Sequence, residues 1–366
     1  MRRIALFCFY ATLLVRASLC ASPSIEQRTQ ELFKIGEEVG LTRNDARAIC
    51  QYMKKGSFER SKQHLPCEIR KFHSLPTVIL RRLPRHSRIG EGCHKVVRKV
   101  IWYSAHPRIV AECDGDSTAL HEIEVLRLFR GVRGIVSLLG SVERSKGKRY
   151  MMYQEYFSGG SLSKKISAKV AFSEVQILKI AKDVSNGLLA MHRKKIVHRD
   201  LHSGNILLRM DSDGLYEAAL GDFGKAEFVA QVKGRVPQGA ITSNPPETLK
   251  ENWTRMDRFL TDVYALGCNF YSLVWKGPVP WAKAFNVYKM KKYSPEERQR
   301  RYETIVKLYS ATKDRCVGQI LRKKALGDQL TPFESFKVMI FEMIDFTPQH
   351  RPQMEIISKK LADIKS

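Results

Sequence analysis

Two short runs constrain this chain more than anything else in it: His198-Arg199-Asp200-Leu201-His202-Ser203-Gly204-Asn205, and then Gly221-Asp222-Phe223-Gly224. Between them Asp211-Ser212-Asp213-Gly214 reads as a turn joining two strands. The runs supply two carboxylates and an amide at the spacing that phosphoryl transfer needs. Asp200 is the candidate base for the proton of an attacking hydroxyl. Asn205 and Asp222 are the candidate oxygen ligands for magnesium against nucleotide phosphates. The acidic turn lacks the further ligands and distant glutamate of a calcium loop, so it is read as a turn alone.

Other landmarks follow in order. Ile177, Ile180, Ala181, Val184, Leu188 and Met191 recur at helical spacing between Glu174 and His192, which places a buried helix directly before the first run. Downstream stand Pro245-Pro246-Glu247, then Asp262 within Thr261–Gly267, then His350-Arg351-Pro352. With these motifs in this order, the chain resembles the eukaryotic-type protein kinase superfamily over about residues 85 to 365. The resemblance implies an α+β, bilobal protein kinase-like fold, with a β-rich N-lobe at about 85–157 and an α-helical C-lobe at about 158–366. It implies ATP and Mg2+ as cofactors and proteins as substrates. It also implies a buried Glu247–Arg351 ion pair and an Asp262 that ties a central helix to the catalytic loop. Arg199 stands where such kinases pair an arginine with a phosphate on the activation loop. Thr242 and Ser243 are the hydroxyls available between Phe223 and Pro245.

The small lobe departs from that pattern. Val110-Ala111-Glu112-Cys113 has a thiol where the family's third strand carries its phosphate-anchoring lysine. In Gly90-Glu91-Gly92-Cys93-His94-Lys95-Val96-Val97, Lys95 replaces the third glycine of the glycine-rich loop. The paired loss and gain is similar to the with-no-lysine (WNK) kinases. By that resemblance Lys95 anchors the phosphates and pairs with Glu122, in a helix over 117–126 where Glu124 is the next candidate. Gly90, Gly92, Val97, Ala111 and Leu207 then surround the nucleotide, the Glu155 carbonyl and Phe157 amide face adenine, and Gln154 is the gatekeeper. Lys99 is an alternative cation. A pseudokinase that binds a partner and catalyses nothing is the competing class.

Acceptor identity stays open. His202 stands two residues after Asp200, where serine/threonine kinases usually carry lysine, and Ala240 replaces their usual activation-segment threonine. Ser243 occupies the place of the tryptophan that tyrosine kinases favour. Serine/threonine is the default, with a glycan hydroxyl as the alternative.

The N-terminus reads as a signal peptide over 1–21: basic Arg2-Arg3, an apolar run from Ile4 to Val15, then small residues. A secretory-pathway, lumenal or exported protein is expected, and the composition is similar to that of apicomplexan rhoptry kinases. Residues 22–84 are expected to form a helical extension and linker. Leu32, Ile35 and Val39 share one helical face, and Ala46, Ile49, Cys50 and Met53 another, while Pro66, Pro76 and Pro84 mark a connecting segment. In an oxidising compartment Cys50 and Cys67 are the local candidates for a disulfide. Asn252-Trp253-Thr254 is a glycosylation sequon. The formal charge of +26 suits acidic proteins or an anionic membrane surface as partners. Nucleic acid ranks last, because the basic stretches from Lys54 to Arg88 and from Lys283 to Lys324 lack aromatic interleaving and zinc spacing.

Overall fold

A computed structural model describes residues 24–37, 41–54, 67–71, 78–82, 88–91, 95–103, 107–144, 147–231, 243–249, 257–284 and 293–364. The expected signal peptide, Gly92, Cys93, Ala240, Thr242 and the Asn252 sequon lie outside the described residues. Two compact units emerge, one from residues 1–116 with 140–156 and the other from 117–139 with 157–366.

In the first unit, α1 (Ile25–Gly36) starts on a reciprocal cap. The Ser24 hydroxyl accepts the Gln27 amide at 3.1 Å, and the Gln27 side chain accepts the Ser24 amide at 2.8 Å. Helix α2 (Arg43–Lys54) repeats the device with Thr42 and Asp45. The apolar faces of both helices, Leu32 with Ala46, Ile49 and Cys50, close on Ile101, with Tyr103 and Ile109 packed alongside. The extension therefore buries its apolar stripe on a sheet.

That sheet runs β1 (Cys67–Lys71), β2 (Val78–Arg82), β4 (Lys95–Tyr103), β5 (Arg108–Asp116), β7 (Arg149–Glu155), β6 (Leu138–Arg144), and β3 (Arg88–Glu91) pairs on the same edge of β4. The antiparallel pair β1–β2 falls in the stretch expected as a connecting segment. Its partner is the far half of β4, with Val78 opposite Tyr103, Ile79 opposite Trp102 and Leu80 opposite Ile101. Pro66, Pro76 and Pro84, which suggested a linker, lie outside the described residues. The expected Cys50–Cys67 bridge is not formed. Cys50 is a buried free thiol 4.0 Å from the Tyr103 hydroxyl, because its helical face turns the sulfur into the core, and burial raises its pKa.

The second unit is mainly helical. It contains α3 (Ala119–Arg127), α4 (Leu162–Ser167), α5 (Glu174–Arg193), α6 (Arg258–Trp275), α7 (Pro295–Ala325), α8 (Pro332–Met343) and α9 (Met354–Asp363). Two small sheets sit among them. One is β11 (Tyr216–Leu220), β10 (Ile206–Met210), β8 (Gly160–Ser161), and the other pairs β12 (Glu227–Phe228) with β9 (Ile196–Val197). Helices α5 and α6 carry long buried faces, and both pack against β9, which leads into the loop that follows. Among the described residues, no helix is long and apolar enough to cross a membrane.

Candidate active site

The hairpin β10–β11 assembles the site. Its antiparallel register sets Ile206 opposite Leu220, so Asn205, just before β10, meets Gly221, just after β11. The Gly221 amide donates to the Asn205 carbonyl at 2.8 Å, which brings Asp222 beside Asn205 in the chain's path. The turn at the other end is closed by Asp211, whose Oδ1 accepts the amides of Asp213 (3.0 Å) and Leu215 (2.9 Å). Gly214 there has φ of 73°, a conformation that suits glycine. A slip of one residue would turn each side chain to the opposite face.

The preceding loop hangs from α6. Buried Asp262 accepts the His198 amide at 2.7 Å on Oδ2 and the Arg199 amide at 3.0 Å on Oδ1, and a His192 ring nitrogen stands 3.2 Å from Oδ2. These bonds hold Arg199 at φ of 65°, a left-handed conformation that costs about 1–2 kcal/mol for a residue with a side chain. Asp200 comes next and is nearly buried. The Asn205 side-chain amide donates one N–H to the Asp200 carbonyl at 2.9 Å, which orients the group and leaves its oxygen as a ligand atom. On the carboxylate itself, Lys225 Nζ lies 2.8 Å from Oδ2 and His202 Nε2 lies 3.9 Å from Oδ1. Burial holds the His202 imidazole below its ordinary pKa against the opposing pull of Asp200.

Arg199 is engaged elsewhere. Its Nη1 forms a close ion pair with Glu227 Oε2, and its buried Nη2 has no hydrogen-bond partner among the described residues. Glu122 on α3 is buried and accepts the Phe223 amide at 3.3 Å, whereas Glu124 is exposed. Glu247 and Arg351 form a bidentate, fully desolvated pair at 2.6 and 2.7 Å, as the resemblance implied. Asp262 likewise ties a central helix to the loop.

A family profile described as a protein kinase domain matches residues 85–361. The chain belongs to the protein kinase domain family. Mitogen-activated protein kinase kinase kinase YODA of Arabidopsis thaliana is 33% identical over 163 residues, 44% of this chain and 17% of that protein. A probable serine/threonine-protein kinase of Dictyostelium discoideum is 32% identical over 193 residues, 50% of this chain and 34% of that protein. Human mitogen-activated protein kinase kinase kinase 3 is 30% identical over 168 residues, 44% of this chain and 25% of that protein. The chain thus spans about a third or less of the length of these curated relatives.

The kinase domain's remaining site candidates lie on strands. Val97 pairs with Cys113 and Lys95 with Gly115 across β4 and β5, and Ala111 pairs with Lys99 and with Gln154. Because side chains alternate along a strand, Lys95, Val97, Ala111 and Cys113 share one face. The Cys113 sulfur lies 3.8 Å from the Gln154 side-chain oxygen. Lys99, the alternative cation, lies over the Tyr156 ring at 4.9 Å. Gly90 is held opposite Val97 in β3. Glu155 ends β7 opposite Val110. Phe157, in the second unit, packs with Val136, Leu207 and Ala219 under the Arg209 guanidinium.

A protein kinase domain implies ATP and usually magnesium, and the donor set fits that ion. Asn205 offers an amide oxygen and Asp222 a carboxylate, both hard ligands, and magnesium is usually held by one or two such groups together with substrate phosphates. Among the described residues there is no cluster of three or more His, Cys, Asp or Glu that would make an all-protein cage.

Two features of the site escaped the sequence reading. Lys225 was passed over, although a basic residue directly after Asp-Phe-Gly was a visible signal. The other is a cavity of about 140 Å³ lined by His202, Asn269 and the serines at 163, 167, 203, 243 and 272 together with the apolar Ile166, Cys268, Pro278 and Val279. Its serines are scattered over more than a hundred positions, so no local pattern announces it.

Proposed function

We propose that this chain is an ATP- and magnesium-dependent protein kinase that phosphorylates serine or threonine. The reading is supported by the loop anchored by Asp262, which carries Asp200, together with the β10–β11 hairpin, which brings the segment of Asp222 beside Asn205. Asp200 accepts the proton of the attacking hydroxyl, while Asn205 and Asp222 would hold the magnesium, which would neutralise charge on the nucleotide phosphates. Serine/threonine specificity is supported by the Dictyostelium relative, whose name states it.

Lys95 takes the phosphate-anchoring role in this reading, as in with-no-lysine kinases. The shared face of Lys95 and Cys113 supports it, since an ammonium moved by one strand still serves the same side of the sheet. The apolar run from Ile4 to Val15 supports action in the secretory pathway or outside the cell. The high positive charge supports acidic protein substrates or an anionic membrane surface. Similarity to rhoptry kinases rests on composition.

The test is magnesium-dependent ATP turnover on a mixed protein substrate, comparing the unaltered chain with Asp200→Asn. A loss of about a thousandfold with nucleotide binding retained is expected. Nucleotide binding without turnover in either protein would establish the pseudokinase instead.

A further inference from the structure

Phosphoryl transfer gathers negative charge beside the base, because the transferring group carries its non-bridging oxygens to the point where the hydroxyl loses its proton. A site that performs it needs a cation there. His202 does not supply one. Its Nδ1 is turned to the Gly204 amide, which it accepts at 3.0 Å, and its Nε2 stays 3.9 Å from Asp200 Oδ1, beyond hydrogen-bond reach. Lys225 does reach the place, with Nζ 2.8 Å from Asp200 Oδ2 on a side chain that is 42% exposed.

We propose that Lys225 is a catalytic residue that moves between the Asp200 carboxylate and the transferring phosphoryl group. The inference rests on the kinase reading above. The acceptor oxygen forms a bond to the γ-phosphorus, and the bond from phosphorus to the bridging oxygen breaks with its electron pair leaving on ADP. The hydroxyl proton passes to Asp200. Lys225 stays protonated throughout, neutralising non-bridging oxygens as its contact with the carboxylate loosens. An ion pair to so exposed a lysine is screened by water and held weakly, so it yields to a more highly charged phosphoryl group. The same weakness argues against the pair as a lock on the base.

Three variants test the assignment: Lys225→Met, Lys225→Arg, and Lys225→Met combined with His202→Lys. Lys225→Met is expected to lower kcat about a hundredfold with the KM for ATP little changed. Lys225→Arg should recover a large part of it, and His202→Lys should restore activity by returning the charge from two residues along the loop. Binding gives a readout independent of turnover. With magnesium present, the unaltered chain should bind ADP with aluminium fluoride more tightly than ADP alone, and Lys225→Met should lose about tenfold or more of the affinity for the mimic while keeping that for ADP. Equal affinity of the two proteins for the mimic would overturn the role of Lys225 alone. Faster turnover in Lys225→Met would overturn it in favour of an inhibitory contact. An unaltered chain that binds the mimic no better than ADP would overturn the kinase reading together with it.

Discussion

The catalytic loop and the β4–β5 face place their functional groups by different means. In the loop and the helical unit around it, position comes from specific bonds: Asp262 holds two amides, Asn205 is bonded to the Asp200 carbonyl, and Glu247 is paired with Arg351. On the sheet, position comes from register and alternation, with Val97 opposite Cys113 and Lys95 two residues along. A loop built from specific bonds has little freedom to move a group. A sheet face offers several near-equivalent anchor points to a long, flexible ammonium. Position fixed by bonds is therefore the more exacting of the two, and position fixed by register the more permissive.

The largest effect should come from breaking a bonded pair in the helical unit. Glu247→Gln leaves the Arg351 guanidinium, whose side chain is fully buried, without its charge partner, and the remaining bonds to the Asp345 and Leu260 carbonyls do not neutralise it. A loss of about 3–5 kcal/mol is expected in urea denaturation. A loss below about 1 kcal/mol would mean that the pair contributes geometry without stability.

On the sheet the expected cost is catalytic. Lys95→Met should lower phosphoryl transfer at least about a hundredfold, close to 3 kcal/mol, with the melting temperature little changed. Cys113→Ala should leave most of the turnover. Near-normal activity in Lys95→Met would pass the role to Lys99, and the contrast between bonded loop and permissive face would lose its main support.

Legibility in the sequence followed the same division. The loop was readable because its chemistry lies in two contiguous runs joined by one hairpin, so Asp200, Asn205 and Asp222 could be named without coordinates. Asp262 and Arg351 were readable by resemblance. The N-terminal strands were not, because five-residue runs such as Val78–Arg82 become strands only when an edge of β4 is there to pair with them. The Cys50–Cys67 pairing failed for a related reason, since sequence proximity gives no direction to a helical side chain. Lys225 was hidden in plain view, because its importance lies in a 2.8 Å approach to a residue 25 positions earlier.

Packing beneath the loop gives a smaller effect. A Cβ at Gly187 on α5 would stand 2.2 Å from the Gly134 carbonyl oxygen, and Gly134 itself has φ of 83°. Neither backbone can retreat far, since Gly134 also accepts the Leu220 amide at the end of β11. Gly187→Ala is therefore expected to destabilise the helical unit by about 2 kcal/mol, measured by urea midpoint, although alanine is the better helix former. A stabilised variant would show that the α5 contact tolerates movement and that the loop's precision comes from Asp262 alone.

The smallest effect tests whether the β1–β2 hairpin is an integral edge of the sheet. Ile79 is fully buried opposite Trp102, and Trp102 in turn meets Tyr153 edge-on at 5.8 Å between ring centroids. Removing one methylene by Ile79→Val leaves the β-branched strand preference intact and deletes only packing, for which about 1 kcal/mol is the usual cost. If the hairpin is part of the cooperative sheet, that loss appears in the denaturation of the whole smaller unit, and amide exchange quickens together along β2 and β4. If it is an appendage, the unfolding midpoint stays fixed and only the amides of Val78–Arg82 exchange faster. The first outcome makes the kinase sheet in this chain larger than the matched segment from residue 85 onward. It also extends the contrast with the loop, because on a sheet even a whole hairpin can be added by register alone.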